Sequence, residues 1–363
     1  MRILHCITRF NQGGTVTWLN QLVNNDEHHG HELFLLFGDC PPHEIEGTPN
    51  EKFQTIRSHF LARSINPIKD LCSIFEIRRI LNSLRPDILA THTFKAGLVA
   101  RLAASTIKKS RRPKVVHTIH GHLQYGYFGK FGASLITKIE IFLERFTDVF
   151  IVAGNKLLDE VMAKGQLISS DFKVIRPGID VSRFLPRATV STSEKIQVGW
   201  LGRLTEIKRP DRVLEIAKRL GNVDFTIAGA GELESELRRE SPANLTFVGW
   251  VAPEGFWLNK DIGLLTSDNE ATPYSIIEGS LCCVPFVATN VGSVTDALID
   301  SETGLLAESS IDSLIEKIQL LVRDSDYRKS LGNKAREYSL ENFSAEKFQN
   351  EHLTVYEQIL ALD

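Results

Sequence analysis

The amino-acid sequence predicts an α/β protein built from two doubly wound parallel sheets in series, one in each half of the chain. Three observations carry this expectation. Short apolar, β-branched runs alternate with longer segments of helical period. The alternation breaks once, near the middle, and then restarts. A chain of 363 residues is long enough for two domains that each bury a core of their own.

In the first half, strands are expected at 2–7, 32–37, 52–56, 87–91, 114–119 and 148–153, with helices at 15–24, 68–84, 95–105 and 134–146 between them. The rhythm fails at Ile175-Arg176-Pro177-Gly178-Ile179-Asp180, and Pro186 and a Ser/Thr-rich stretch follow, so 178–194 reads as a linker. Strands then recur at 196–201, 224–228, 245–248, 262–265, 285–288 and 304–306, with helices at 210–220, 233–240, 273–281, 294–299 and 311–323. The domains expected are 1–180, 181–345 and a final helix over 346–363. Two such sheets in series offer a ligand cleft at the carboxyl ends of their strands.

Hydrophobic residues make up 42% and charged residues 24%, the balance of a globular protein in water. A formal net charge of -3 gives no overall pull toward nucleic acid, and none is expected as a partner. The five cysteines include no C-x-x-C pair and read as reduced thiols, not as a disulfide framework or a zinc site. Met1-Arg2-Ile3-Leu4-His5-Cys6-Ile7 enters a strand pattern directly, without the apolar stretch of a signal peptide, and no apolar run approaches the ~20 residues that span a bilayer. The cytoplasm is the expected compartment, with a peripheral contact at the inner face of the membrane.

The segment Ser267-Asp268-Asn269-Glu270-Ala271-Thr272-Pro273-Tyr274-Ser275-Ile276-Ile277-Glu278 holds the most chemistry. Thr272 suits an N-cap and Pro273 the first helical position. Glu270 then lies in the loop before the helix and Glu278 about two turns inside it. The first-turn amides near Tyr274 and Ser275 suit a phosphate, and carboxylates accept paired hydroxyls of a sugar or a ribose. In Gly202-Arg203-Leu204-Thr205-Glu206-Ile207-Lys208, Arg203 and Lys208 follow a strand and suit a diphosphate, although alone they read as surface charges. Gly229-Ala230-Gly231 opens like a dinucleotide fingerprint, but Glu234 occupies the third glycine position and the pattern fails. Trp250 and Val251, after another strand, suit a base pocket or ordinary packing. In the first half Gly13 and Gly14 separate a strand from a helix and let the backbone approach a ligand. His92, His117, His120 and His122 gather at the ends of neighbouring strands and are expected to converge on one cleft.

The stretch 270–306 resembles the E-x7-E block of the family 4 retaining glycosyltransferases, with Ala271 where the commonest form of the block has glycine. The resemblance extends from Gly13 to Leu306. It implies the GT-B fold, two Rossmann-like doubly wound domains facing a central cleft, and a nucleotide-sugar donor, UDP-linked on family grounds, held mainly by the second domain. It implies that Glu270 contacts the donor sugar and Glu278 the ribose, and that Arg203 and Lys208 clamp the pyrophosphate. Gly229, Trp250, Val251, Pro273, Tyr274 and Ser275 complete the donor side, with Gly13 and Gly14 near the reaction centre. His120, in Thr118-Ile119-His120-Gly121, matches the active-site histidine. His92, Lys95, His122 and Tyr125 fall on the acceptor side, for a glycan or lipid-linked acceptor. No cofactor and no essential metal are expected. The basic run Lys108, Lys109, Arg111, Arg112, Lys114 reads as a solvated loop or as a face for an anionic membrane. The function implied is a hexosyl- or N-acetylhexosaminyl-transferase of cell-surface polysaccharide or lipopolysaccharide synthesis. The alternatives are a UDP-sugar 2-epimerase-like isomerase of the same layout, a binding protein with a decayed site and, last, a dehydrogenase.

Overall fold

A computed structural model describes residues 1–23, 30–41, 44–64, 66–121, 130–163, 165, 171–187 and 195–362. The chain divides into two units, Met1–Ile179 with Ala345–Asp363, and Asp180–Ser344.

The first unit runs through β1 (Arg2–Arg9), α1 (Gly14–Gln21), β2 (Glu32–Gly38), β3 (Gln54–Arg57) and α2 (Pro67–Leu84). It continues with β4 (Ile88–His92), α3 (Phe94–Ser105), β5 (Lys114–Ile119), α4 (Lys130–Glu144), β6 (Val149–Val152), α5 (Asn155–Ala163) and β7 (Phe172–Val174). All strand pairs are parallel, in the order β3-β2-β1-β4-β5-β6-β7. The chain winds outward from β1 to β3 and then crosses to β4 on the other side of β1. Neighbouring connections therefore leave on opposite faces there, and a crevice opens at the carboxyl ends of β1 and β4. Side chains alternate across the sheet: Ile3 and Ile7 of β1 join Trp18 and Leu19 of α1 in one core, and Leu4 and Cys6 join Ile77 and Leu81 of α2 in the other.

The second unit repeats the plan with β8 (Gln197–Leu201), α6 (Pro210–Arg219), β9 (Asp224–Ala228), α7 (Glu234–Arg239), β10 (Leu245–Gly249) and α8 (Pro253–Trp257). Then come β11 (Ile262–Leu265), α9 (Tyr274–Leu281), β12 (Phe286–Thr289), β13 (Gly304–Ala307), α10 (Ile311–Arg323) and α11 (Ser325–Asn342). Its parallel order is β10-β9-β8-β11-β12-β13, so the reversal lies between β8 and β11. The chain then returns to the first unit as α12 (Ala345–Leu360). There Phe348, Val355, Tyr356 and Ile359 enter the core that holds Trp18, and the Gln349 amide donates to the Gln21 carbonyl.

Both units are the doubly wound parallel sheets expected from the alternation of runs. Several details differ from expectation. The helix expected at 294–299 is only a 3-10 turn, Val294–Asp296, because the Ile299 amide is taken by the Thr303 hydroxyl at 2.8 Å instead of continuing a helical ladder. Pro273, not Thr272, is the N-cap of α9: its extended backbone (φ -78, ψ 119) puts Tyr274 at the first helical position. The stretch 178–187, expected as linker, is partly built into the second unit, where Phe184 is buried and Arg187 pairs with Asp261. Between the helices expected at 311–323 and 346–363 stands one more, α11, whose N-cap Asp324 accepts the Tyr327 amide at 2.8 Å.

Phe348 is 2% exposed and packs edge-on against Trp18 at 4.7 Å. Phe348→Ala is expected to cost about 3–5 kcal/mol in urea unfolding of the first unit; a loss below about 1 kcal/mol would mean that α12 is not part of that core.

Candidate active site

In the second unit the carboxyl ends of β8 and β11 flank the strand-order reversal, and charged side chains lace their loops together. The Lys208 ammonium bonds both Glu270 carboxylate oxygens at 2.6 Å, and the Ser267 hydroxyl donates to one of them at 2.6 Å. Arg212 donates to the Thr266 carbonyl at 2.7 Å and pairs with Asp268 at 2.7 Å, and Arg209 joins Asp268 to Asp211. The Asp268 amide donates to the Ile207 carbonyl at 2.9 Å. From the far side the Ser293 amide donates to the Glu270 carbonyl at 2.9 Å. Gly292 permits that approach: its φ is +50, and a Cβ there would stand 2.0 Å from the same carbonyl oxygen.

The loops after β8, β9 and β10 are tied by backbone bonds. Gly202 N donates to Ala228 O at 3.0 Å, Leu204 N to Ala230 O at 3.0 Å and Gly229 N to Gly249 O at 2.7 Å. Gly229 has φ +129, and a Cβ on it would lie 1.8 Å from the Gly202 carbonyl oxygen, so only glycine fits. Arg203 is exposed and has no partner among the described residues. Trp250 is 65% exposed, which removes the ordinary-packing reading.

At the start of α9 the amides of Tyr274 and Ser275 have no hydrogen-bond partner among the described residues, while Ile276 N bonds Pro273 O at 3.2 Å. The same helix carries buried polar atoms without a full partner, one Glu278 oxygen and the Tyr274 hydroxyl, and the Trp257 indole nitrogen stands near Glu278 outside good hydrogen-bond geometry. Burial pushes the Glu278 carboxyl up to about 7, with the Trp257 indole pulling the other way. Burial, and then the neighbouring Glu278, pushes the Tyr274 hydroxyl well above its usual range.

In the first unit three imidazoles from adjacent strands form a hydrogen-bonded row. His92, the last residue of β4, meets His120 at 2.9 Å through Nδ1 and His5 of β1 at 3.1 Å through Nε2. His120 Nε2 is thereby engaged with His92. Trp18 stands edge-on to His120 at 5.0 Å. Burial, and then the neighbouring imidazoles, hold His92 well below the ordinary range; burial, and then His352, push His120 down to about 3. Gly13 is the N-cap of α1 and Gly14 its first residue, and a Cβ at Gly13 would meet no atom within 4 Å. Thr93, between β4 and α3, holds φ 68 and ψ 150, a conformation rare for threonine, and its hydroxyl bonds that of Thr8 at 2.7 Å.

Residues 12–183 match the family model described as Glycosyltransferase Family 4, and residues 182–338 match that of Glycosyl transferases group 1. The chain belongs to the family 4 glycosyltransferases. It is 25% identical over 344 residues to the O-antigen biosynthesis glycosyltransferase WbnH of Escherichia coli, across 93% of this chain and 96% of that one. To the UDP-Gal:alpha-D-GlcNAc-diphosphoundecaprenol alpha-1,3-galactosyltransferase of Escherichia coli it is 27% identical over 328 residues, across 78% and 83%. Sucrose-phosphate synthase of Thermosynechococcus elongatus shares its fold, with a TM-score of 0.85 over 100% and 99% of the two chains at 18% identity. The isomerase alternative draws no support from these matches.

The residues expected from this glycosyltransferase's sequence fall into place unevenly. Glu270, Lys208, Pro273, Tyr274, Ser275 and Glu278 gather around the loop after β11 and the start of α9, and Arg203, Gly229, Trp250 and Val251 lie at the ends of β8 to β10. Lys208 spends two of its three N–H donors on Glu270, and its side chain stays 25% exposed. Lys95 is buried in an ion pair with Asp70 and a bond to the Ser64 carbonyl, so it is set aside as an acceptor contact. His117 does not join the row. It pairs in register with Thr91, one residue before His92, and so faces α3, where the Thr91 hydroxyl meets it at 2.8 Å. His122 and Tyr125 lie outside the described residues. Sequence reasoning passed over His5, Trp18, Trp257, Arg209 and Arg212. Lys208, Arg209 and Arg212 crowd the start of α6, where a helix disfavours cations, and this was the available signal of a carboxylate partner.

His92, His117 and His120 are neutral in the folded chain, whereas unfolded histidines protonate near 6.5. Their depressed pKa values add stability above pH 6.5 that is lost as the pH falls. Glu278, Glu140 and Glu351, shifted upward, act in the opposite sense, but His31, also shifted downward, joins the three imidazoles, so four groups favour the loss against three. Urea unfolding at pH 7.5 and 5.5 should therefore show a net loss of about 1 kcal/mol per pH unit on acidification. A gain in stability toward pH 5.5 would contradict buried, neutral imidazoles.

Proposed function

We propose that this glycosyltransferase moves a hexose or N-acetylhexosamine, with retention, from a UDP-sugar to a lipid-linked glycan in cell-surface polysaccharide assembly. The observation that carries this reading is the buried Glu278 carboxylate, one turn along α9 from the Tyr274 and Ser275 amides, which have no partner among the described residues. A carboxylate so placed accepts the paired hydroxyls of a ribose, and the amides of Tyr274 and Ser275 meet the phosphates. The fixed Glu270 carboxylate faces the sugar hydroxyls, and Trp250 with Val251 borders the base. UDP-Gal and a GlcNAc-diphosphoundecaprenol acceptor are the substrates in one relative's name, and O-antigen synthesis is the process in another's. Both support the same choice here.

In the proposed reaction the bond from the anomeric carbon to the diphosphate oxygen breaks, and a bond to the acceptor oxygen forms on the same face. The acceptor's proton passes to the departing diphosphate. Arg203 and the α9 amides stabilise the charge that develops there, without a metal. His120, neutral at physiological pH, orients sugar hydroxyls through Nδ1 and does not act as an acid. Trapping a covalent glycosyl-enzyme intermediate would refute the single-face route.

The test is thermal stabilisation by UDP, GDP, ADP and NAD, each with EDTA present. UDP should raise the midpoint, and Glu278→Ala should weaken UDP binding by about tenfold or more. A rise with NAD alone, or an undiminished UDP effect in Glu278→Ala, would overturn the assignment.

A further inference from the structure

Two buried histidines of the first unit touch no substrate in the proposed reaction. His5 is 2% exposed and His92 1%, and strand register puts both on the face of the sheet that carries Ile3, Ile7, Ile88 and Ala90. Apolar side chains would fill that face at lower cost, because a buried imidazole needs partners for two nitrogens. The partners found are one another. His92 Nε2 meets His5 Nδ1 at 3.1 Å, and His92 Nδ1 meets His120 Nε2 at 2.9 Å. The row ends at His120 Nδ1, which has no partner among the described residues. His120 is the half-buried member, just past the end of β5, so the row runs from the carboxyl ends of the strands down to the middle of β1.

Each contact in the row needs one N–H and one bare nitrogen, so the two contacts are not independent. Burial holds His92 and His120 neutral, which gives each a single proton. If His120 carries its proton on Nε2, it donates to His92 Nδ1, which must then be bare. His92 therefore carries its own proton on Nε2 and donates to His5 Nδ1. The reverse arrangement puts the protons on the Nδ1 atoms of His5 and His92 and turns Nδ1 of His120 into a donor. A mixture would set two lone pairs or two protons face to face and leave buried polar atoms unpaired. The first arrangement uses the Nε2–H form at every ring, the tautomer that a free imidazole side chain favours, and the second uses the less favoured form throughout.

We propose that His5 and His92 are positioning residues for the transfer: they keep the proton of His120 on Nε2, so that its Nδ1 presents a lone pair to a hydroxyl of the donor sugar. A hydroxyl bound this way can only donate to the imidazole. Its rotation, and with it the orientation of the sugar, is set before the anomeric bond breaks. The proposal rests on the reading of His120 as the residue that orients the sugar, and it names the two residues that act through it.

Nitrogen NMR of the full chain, with isotope-labelled histidine and near neutral pH, reads each imidazole's tautomer without any substrate. The wild type should show His120 protonated on Nε2 and bare at Nδ1. His5→Leu removes the acceptor at the inner end of the row, and the His120 signals should move to a mixture of the two tautomers. In calorimetric titration the same variant should bind UDP within about twofold of the wild type and the best-stabilising UDP-sugar about fivefold more weakly. His5→Asn, whose amide oxygen can accept in place of Nδ1, should restore both the tautomer and the affinity for the UDP-sugar. A wild-type His120 protonated on Nδ1, or a His5 protonated on both nitrogens, would overturn the proposal. So would an unchanged His120 tautomer in His5→Leu, or a His5→Asn variant as impaired as His5→Leu, the mark of a packing role. The wild-type spectrum requires no variant to fold and no donor to bind, so a missing response to UDP counts against the donor assignment and leaves this test standing.

Discussion

The ion pair between Lys208 and Glu270 is the interaction on which the second unit's site depends. It spans the two strands, β8 and β11, between which the strand order reverses. Three cations stand at the start of α6, the end of a helix that repels them. They are stable there because the loop after β11 brings Asp268 and Glu270 against them. A carboxylate held by an ammonium and by the Ser267 hydroxyl keeps one orientation, and the backbone bond from Ser293 fixes the loop behind it. The rotamer cost of aiming Glu270 is thus met when the protein folds, not when a sugar arrives.

The first unit solves a similar problem with imidazoles. Its strand order sets β1, β4 and β5 side by side, and each contributes a histidine to one row at or near its carboxyl end. Burial keeps His92 and His120 neutral, so each of their nitrogens is either a donor or an acceptor and the bond between them couples the two tautomers. Trp18 closes one side of His120, and Phe348 and His352 of α12 pack on Trp18. The end of the chain therefore supports the imidazole proposed to orient the sugar, at a distance of two aromatic contacts.

Most of the architecture was legible because parallel strands buried on both faces read as continuous apolar runs, and the break between the two series stands out. Helix ends were less so. Pro273 fits either the first helical position or the cap, and its ψ decides between them. The 294–299 segment has helical residues, but the Thr303 side chain captures the amide that a helix needs. At the site, the E-x7-E spacing located both glutamates, one in the loop and one in the helix, although Glu278 lies just over one turn into α9 and not two. Which cation meets which anion was not legible. Lys208 and Arg203 look alike in sequence, and only the approach of the β11 loop assigns one to Glu270 and leaves the other exposed. His117 and His92 likewise look equivalent until strand register puts them on opposite faces.

The most direct measurement is calorimetric titration of the wild type and Lys208→Met with UDP and with the UDP-sugar that stabilises the protein best. If Lys208 works by holding Glu270 for the sugar, the variant should bind UDP within about twofold of the wild type and lose most of the extra affinity for the UDP-sugar. Weakening of UDP itself by about tenfold or more, with the sugar's contribution intact, would show that Lys208 serves the diphosphate and that the ion pair is not what positions Glu270.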